Sequence, residues 1–321
     1  MNLDLLIDNL TNPALLFFFL GIAASRLKSD LEIPPSSSKF ISLYLLFAIG
    51  FKGGQELSHS NSDMEIIWSL LFGMGLALVV PIYAFFILKR KVSIPNAGAI
   101  AAAYGSVSAV TFVTAISFLE LQNIEFGGHM VAVLALMEAP SIIIGLILLK
   151  IFNTDNDRTP LSSVIHHALT NGSVLLVIGS LLIGFLASEQ QAEGIKPFTT
   201  DIFTGFLSVF LLDMGITSGK KLASVMKSGW FPFAFSIIVP IVNGCIVAVL
   251  SQFITDSLGN QFLFAILAAS ASYIAVPAAM KLAVPKANPS LYLAMALGIT
   301  FPFNITLGMP LYLMVIQLVQ V

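Results

Sequence analysis

Long apolar runs separated by short polar breaks recur along the whole chain. Measured against the roughly 20 residues a helix needs to cross the hydrocarbon, they predict ten spans. These lie near 12–26, 39–54, 65–88, 94–119, 126–152, 170–188, 197–219, 228–255, 260–283 and 289–320. The first two are short, which predicts tightly packed elements rather than lipid-facing ones. The fourth and ninth are interrupted in the middle by small and hydroxylated residues: Tyr104-Gly-Ser-Val-Ser-Ala-Val-Thr111 in one, Ser270-Ala-Ser-Tyr273 followed by Pro277 in the other. Gly105 permits an unwound backbone, and Pro277 is expected to free the carbonyl of Tyr273. Non-helical backbone at this depth survives only where protein or a hydrated cavity supplies partners.

Composition agrees with a lipid solvent. Of 321 residues, 57% are hydrophobic and 10% charged, whereas a soluble domain carries about 25% charged residues. The single cysteine, Cys245, excludes an internal disulfide and a cysteine-based metal framework. No basic run suits nucleic acid. The N-terminus, Met1-Asn-Leu-Asp-Leu-Leu, lacks the basic segment of a cleaved signal, so the first apolar run is expected to be kept as a span.

Charge also orients the spans. Arg26, Lys28, Lys39, Lys89, Arg90, Lys91, Lys150, Arg158, Lys220, Lys221, Lys227, Lys281 and Lys286 fall on one side, and only Lys52 and Lys196 on the other. The basic side is expected to face the cytoplasm, leaving both termini extracytoplasmic.

Matching pieces recur about 160 residues apart. Gly50, Gly54 and Leu57 align with Gly215, Gly219 and Leu222 at one offset of 165; Gly21 aligns with Gly184, Val80-Pro81-Ile82 with Val239-Pro240-Ile241, Ser106 and Ser108 with Ser270 and Ser272, and Pro140 with Pro302. Five spans per repeat is an odd number, so the second repeat must enter the membrane upside down. The expected fold is therefore an all-α membrane protein: ten transmembrane helices in two inverted five-helix repeats, with helices 4 and 9 broken. Residues 1–152 form the first repeat, 153–169 a cytoplasmic linker, and 170–321 the second repeat. Inverted repeats with broken helices place substrate and ion sites near the midplane in secondary transporters.

If both helices break, the segments starting near Ser106 and Ser272 aim their N-termini at the midplane, where free N–H groups suit an anion. The segments ending near Tyr104 and Ala269 offer free carbonyls to a cation. The anion is thus assigned to Gly105, Ser106, Val107, Ser108, Ser270, Ala271, Ser272 and Tyr273. Close helix packing alone would also explain such small residues. Glu138, an acid in mid-span, marks an ion path. Pro140 frees the Leu136 carbonyl near it, and Thr300 takes the acid's place in the tenth span, where Pro302 frees Gly298. The cation is assigned to Glu138, Thr111, Thr300 and Asn304. Asp213, near the cytoplasmic end of the seventh span, is a candidate gating residue.

The stretches GSVSAVTF, MEAP and FLLDMG, with the run ASASYIAVPAAM…PKANPSLYLAMALGITFPFNITLGMPLY, resemble the sodium-dependent bicarbonate permease family over essentially the whole chain. The resemblance implies a sodium-driven bicarbonate symporter of the cytoplasmic (inner) membrane with no cofactor beyond sodium as coupling ion. It also implies a homotrimer, a gate domain from spans 1, 2, 6 and 7, a core from spans 3–5 and 8–10, and control by a PII-like regulatory protein. The chain departs from the cyanobacterial members in three ways: Tyr273 stands where they carry an aspartate, Glu138 where they carry another, and the 153–168 segment is shorter.

Two other readings stay open at this level. One is a carrier of another small anion or organic acid, or a sodium/proton exchanger. The other is an intramembrane enzyme, which the sequence opposes because no span holds a deep histidine and His-Glu-x-x-His is absent.

Overall fold

The structure, a computed structural model, describes residues 3–59, 63–152, 166, 170–227 and 229–320. The elements are α1 (Leu3–Thr11), α2 (Pro13–Arg26), α3 (Pro35–Ser58), α4 (Asp63–Leu88), α5 (Ile94–Gly105), α6 (Ala109–Leu121) and α7 (His129–Phe152). After the linker come α8 (Gly172–Leu186), α9 (Glu189–Lys196), α10 (Phe203–Lys227), α11 (Trp230–Leu250), α12 (Leu258–Ala269), α13 (Ala275–Ala283) and α14 (Pro289–Val319). All but one residue (His166) of the linker expected at 153–169 lies outside the described residues.

Among the described residues, six helical stretches are long and apolar enough to cross a membrane, seven if the bent pair α1–α2 counts as one. The 62° bend in that pair has a local cause: Asn12 caps α2 by accepting from the Ala14 amide at 2.9 Å, and Pro13 starts the new helix. Helix α3 is long but more polar, and α8 and α12 are short. Large apolar side chains point outward on several helices, including Leu71, Val79 and Ile82 of α4, Leu182 and Ile183 of α8, and Ile238 and Ile246 of α11, as a lipid-facing surface requires.

Two tight crossings join the halves of the chain, α2 with α10 and α3 with α8. A methyl carbon added to Gly21 would land on the α10 backbone at Leu212, Gly215 and Ile216; one added to Gly54 would land on the α8 backbone at Leu181, Gly184 and Phe185. Small residues let backbones approach this closely. Gly54 meets Gly184 and Gly215 meets Gly21, so the two crossings match when Gly54 is set against Gly215, 161 positions apart, one helical turn from the offset of 165 that residue identity favours.

Prolines inside the helices free carbonyls, and the fold answers them with side chains. Pro81 leaves Ala77 without its helical donor, and Ser141 of α7 donates to that carbonyl at 2.7 Å. Pro240 does the same to Ser236, and Thr300 of α14 donates to it at 2.8 Å. Two π-helical turns, Ala296–Thr300 and Asn304–Gly308, run through α14. There Pro310 leaves Ile305 and Thr306 open, and the Asn9 amide takes both at 3.0 Å. In lipid such groups have no water to fall back on. Ser141→Ala is therefore expected to cost about 1–3 kcal/mol, read as a lower melting temperature in detergent with no change of oligomer.

Candidate functional site

Helices α5–α6 and α12–α13 are the two broken ones, and both breaks fall in the small, hydroxylated runs. Helix α5 stops at Gly105 because Ser106 takes extended backbone (φ −81°, ψ 179°). Gly105 itself lies against the ring of Pro81, where a side chain would not fit. Helix α6 begins after Ser108, whose hydroxyl accepts from the Thr111 amide at 3.1 Å as an N-cap. The second break is alike at its start: Ser270 is extended (φ −84°, ψ 168°) and ends α12.

Its far end differs from expectation. Helix α13 starts at Ala275, three residues beyond Ser272, just as α6 starts at Ala109, three residues beyond the expected Ser106. Pro277 thus sits in the first turn, where its missing N–H has no intrahelical acceptor to lose, so it does not break the helix or free the carbonyl of Tyr273, which lies before α13. Ser272 still reaches in, its hydroxyl accepting from the Val276 amide at 3.4 Å.

The breaks are bonded to one another. The Ser108 amide donates to the Ser270 hydroxyl at 3.0 Å, and the Ser272 amide to the Ala103 carbonyl at 2.8 Å. Each break supplies the other's missing partner, which is how irregular backbone persists inside an apolar bundle.

Where they meet lies a pocket of about 10 Å³, lined by Leu46, Val107, Ser108, Ala109, Glu138, Ser173, Ser272, Tyr273 and Ile274. That is room for about one water. Glu138 is 7% exposed, and among the described residues no donor is bonded to its carboxylate. The Tyr273 hydroxyl is buried beside Ser108 without a hydrogen bond of normal geometry. A carboxylate, three serines and a phenol thus converge on one small space.

A larger cavity of about 600 Å³ continues from this pocket, sharing Ser173, Tyr273 and Ile274 with it. Its walls carry Glu32, Lys39, Asp213 and Lys220, and it reaches the surface at the end of the bundle bearing the basic loops. Asp213 accepts from the Ser38 hydroxyl at 2.5 Å, tying α10 to α3 within this vestibule. At the opposite end Lys52 of α3 meets Glu120 of α6 at 2.7 Å. Beside that pair, a side chain on Gly128 would strike the Gly53 backbone, and one on Gly53 would strike the Val131 side chain. The inner pocket thus adjoins the cavity at the basic end, while the cavities at the other end, of about 390 and 550 Å³, share no lining residue with it.

Of the residues assigned to the anion, the pocket gathers Val107, Ser108, Ser272 and Tyr273. Gly105, Ser106, Ser270 and Ala271 build the breaks behind it, with the Ser106 hydroxyl 3.5 Å from the Glu138 carbonyl oxygen. Of those assigned to the cation, Glu138 alone lines the pocket. Thr111 is buried in the first turn of α6. Thr300 spends its proton on Ser236 and accepts from the Tyr104 hydroxyl at 2.7 Å. The Asn304 amide lies on the Ala269 carbonyl at 2.8 Å. Sequence reasoning missed Leu46 and Ser173, which face the breaks from α3 and α8; nothing in an apolar span singles out one leucine, though Ser173 is one of only two hydroxylated residues in α8, with Ser180.

A helical bundle with two mutually bonded broken helices, and a vestibule running from one face to their crossing, defines a membrane transporter. The chain belongs to the Na+-dependent bicarbonate transporter superfamily, whose family model matches residues 13–317. No curated protein matches the chain significantly.

Proposed function

We propose that the chain carries bicarbonate into the cell together with sodium, as a secondary symporter working by alternating access. The observation that carries this reading is the convergence of Ser108, Ser272 and Glu138 where two broken helices meet at the blind end of a vestibule. The cap of α6 offers N–H groups and the serines offer hydroxyls, which suit a small oxyanion. Glu138 offers the fixed negative charge a sodium ion needs beside it. A pocket of one-water size holds no bicarbonate, so binding must accompany movement of the α3 and α8 face, which bears Leu46 and Ser173, away from the breaks. That face belongs to the spans assigned to the gate, and the breaks to the core.

Topology follows on the same footing. We assign ten spans in two inverted repeats. Two likenesses support the assignment: Pro81 of α4 answered by Ser141 resembles Pro240 of α11 answered by Thr300, and the two glycine crossings resemble each other. The basic end is placed in the cytoplasm of the inner membrane, with both termini outside, which makes the described state inward-open. Trimer formation and a PII-like regulator rest on the resemblance alone. Transport is favoured over catalysis because, among the described residues, no serine hydroxyl of the pocket is hydrogen-bonded to the Glu138 carboxylate, so no nucleophile is paired with a base. Symport is favoured over sodium/proton exchange because, among the described residues, Glu138 is the one acid lining the inner pocket.

The test is uptake of labelled bicarbonate into proteoliposomes with and without an inward sodium gradient. Uptake stimulated by sodium, and competed by unlabelled bicarbonate more than by nitrate or acetate, is the expected result. Uptake indifferent to sodium, or none, would sink the symport proposal.

A further inference from the structure

The break between α12 and α13 leaves carbonyls without helical partners. Ala268 loses its usual donor because the Ser272 amide turns to Ala103, and Ala269 ends the helix. Both are met by asparagine amides from other helices. Asn243 of α11 donates to the Ala268 carbonyl at 3.1 Å, and Asn304 of α14 to the Ala269 carbonyl at 2.8 Å. Each amide is braced in turn: the Tyr83 hydroxyl donates to Asn243 Oδ1, and the Tyr312 hydroxyl shares its proton between Asn304 Oδ1 at 3.0 Å and the Pro240 carbonyl at 3.1 Å. Chemistry fixes the amide orientation, since a carbonyl can accept only from the NH2 end, which turns the oxygen toward the phenol. Asn304 is fully buried and Asn243 nearly so.

The first break is built differently. Aligning VPIYA with VPIVN, and EAPSI with TFPFN, sets Ala84 opposite Asn243 and Ile142 opposite Asn304. Both are apolar and buried. The carbonyls equivalent to Ala268 and Ala269 are those of Tyr104 and Gly105, and no asparagine stands at the matching positions to cover them. A carboxylate, Glu138, lies beside this break instead.

A helix C-terminus with open carbonyls carries about half a negative charge and attracts a cation. An amide N–H placed on each carbonyl occupies one of its lone pairs, offsets its partial negative charge and puts an NH2 group where a cation would have to approach. We infer that Asn243 and Asn304 are positioning residues that close the second break to cations, so that each cycle carries a single sodium ion, at the first break, with one bicarbonate. This rests on the sodium–bicarbonate reading above and makes transport electroneutral.

In proteoliposomes, the initial rate of bicarbonate uptake against sodium concentration is expected to give a Hill coefficient of about 1. Imposing an inside-negative potential of about 100 mV with potassium and valinomycin is expected to change that rate by less than about twofold, because no net charge crosses the field. A Hill coefficient of about 2, or several-fold stimulation by the potential, overturns the inference and leaves sodium–bicarbonate symport standing. Uptake without sodium stimulation overturns the symport reading and the inference with it. Asn304→Ser separates the two roles of that residue. As a positioning residue its loss lowers the maximal rate while half-saturating sodium stays within about twofold; as a sodium ligand its loss raises half-saturating sodium by about tenfold or more, which overturns the inference. Asn243→Ser reads out the same distinction if the first variant does not fold, and the wild-type measurements decide in either case.

Discussion

Glu138→Gln is expected to abolish the stimulation of bicarbonate uptake by sodium at concentrations that saturate the parent protein. The carboxylate is buried in the pocket between the two breaks, and no donor among the described residues neutralises it. A lone charge there costs several kcal/mol unless a counter-ion accompanies it. Sodium is that counter-ion in this reading. A carboxylate about 4 Å from a monovalent cation contributes about 4 kcal/mol at an effective dielectric of ~20. An amide keeps an oxygen dipole without the charge, so half-saturating sodium should rise by more than about tenfold. Glu138→Asp keeps the charge and is expected to keep sodium dependence, with a changed affinity. If the glutamine variant retains sodium dependence, the carboxylate serves structure and the cation must sit elsewhere.

The place of the breaks was legible because it depends on local composition. A run such as Gly105-Ser-Val-Ser108 cannot be an ordinary lipid-facing segment, and the caps at Ser106, Ser108 and Ser270 follow directly. The starts of α6 and α13, each three residues beyond the expected serine, were not legible. Pro277 reads the same whether it interrupts a helix or opens one, and only the backbone shows it in the first turn. The glycine register was obscured for a related reason: glycines four residues apart recur in both α3 and α10, so matching by identity slips by one turn without penalty. The contacts themselves are Gly54 with Gly184 and Gly215 with Gly21. The cation assignment was the least legible. Thr300 and Asn304 read as oxygen ligands in mid-span, yet their partners are backbone carbonyls on α11 and α12, brought close by the fold and invisible in the order of residues. A hydroxyl or amide inside an apolar helix announces that something needs a hydrogen bond there, not whether that something is an ion or the protein itself.

The largest stability effects are expected at the two glycine crossings. A side chain at Gly54 would meet the Leu181 carbonyl oxygen and the Phe185 amide; one at Gly215 would meet the Phe18 carbonyl oxygen. These neighbours are backbone, so no rotamer change relieves the contact, and the helices must separate. Overpacking of this kind costs about 1–3 kcal/mol or more per site. Each helix pair also carries its own control. Gly179 of α8 and Gly205 of α10 face open space, so replacing either by alanine should be neutral or stabilise by up to about 1 kcal/mol through helix propensity. Melting temperatures in detergent for Gly54→Ala and Gly215→Ala, set beside Gly179→Ala and Gly205→Ala, test the crossings directly. Equal melting of all four would show that α3–α8 and α2–α10 do not pack backbone to backbone. The functional cost should exceed the structural one. Gly215 lies between Met214 and Ile216, which line the vestibule with Asp213, so pushing α10 away from α2 moves the wall along which the substrate travels. A Gly215→Ala protein that still folds is therefore expected to lose uptake more than the α3–α8 variant of equal melting temperature. Similar losses in both would mean that the two crossings move together as one body.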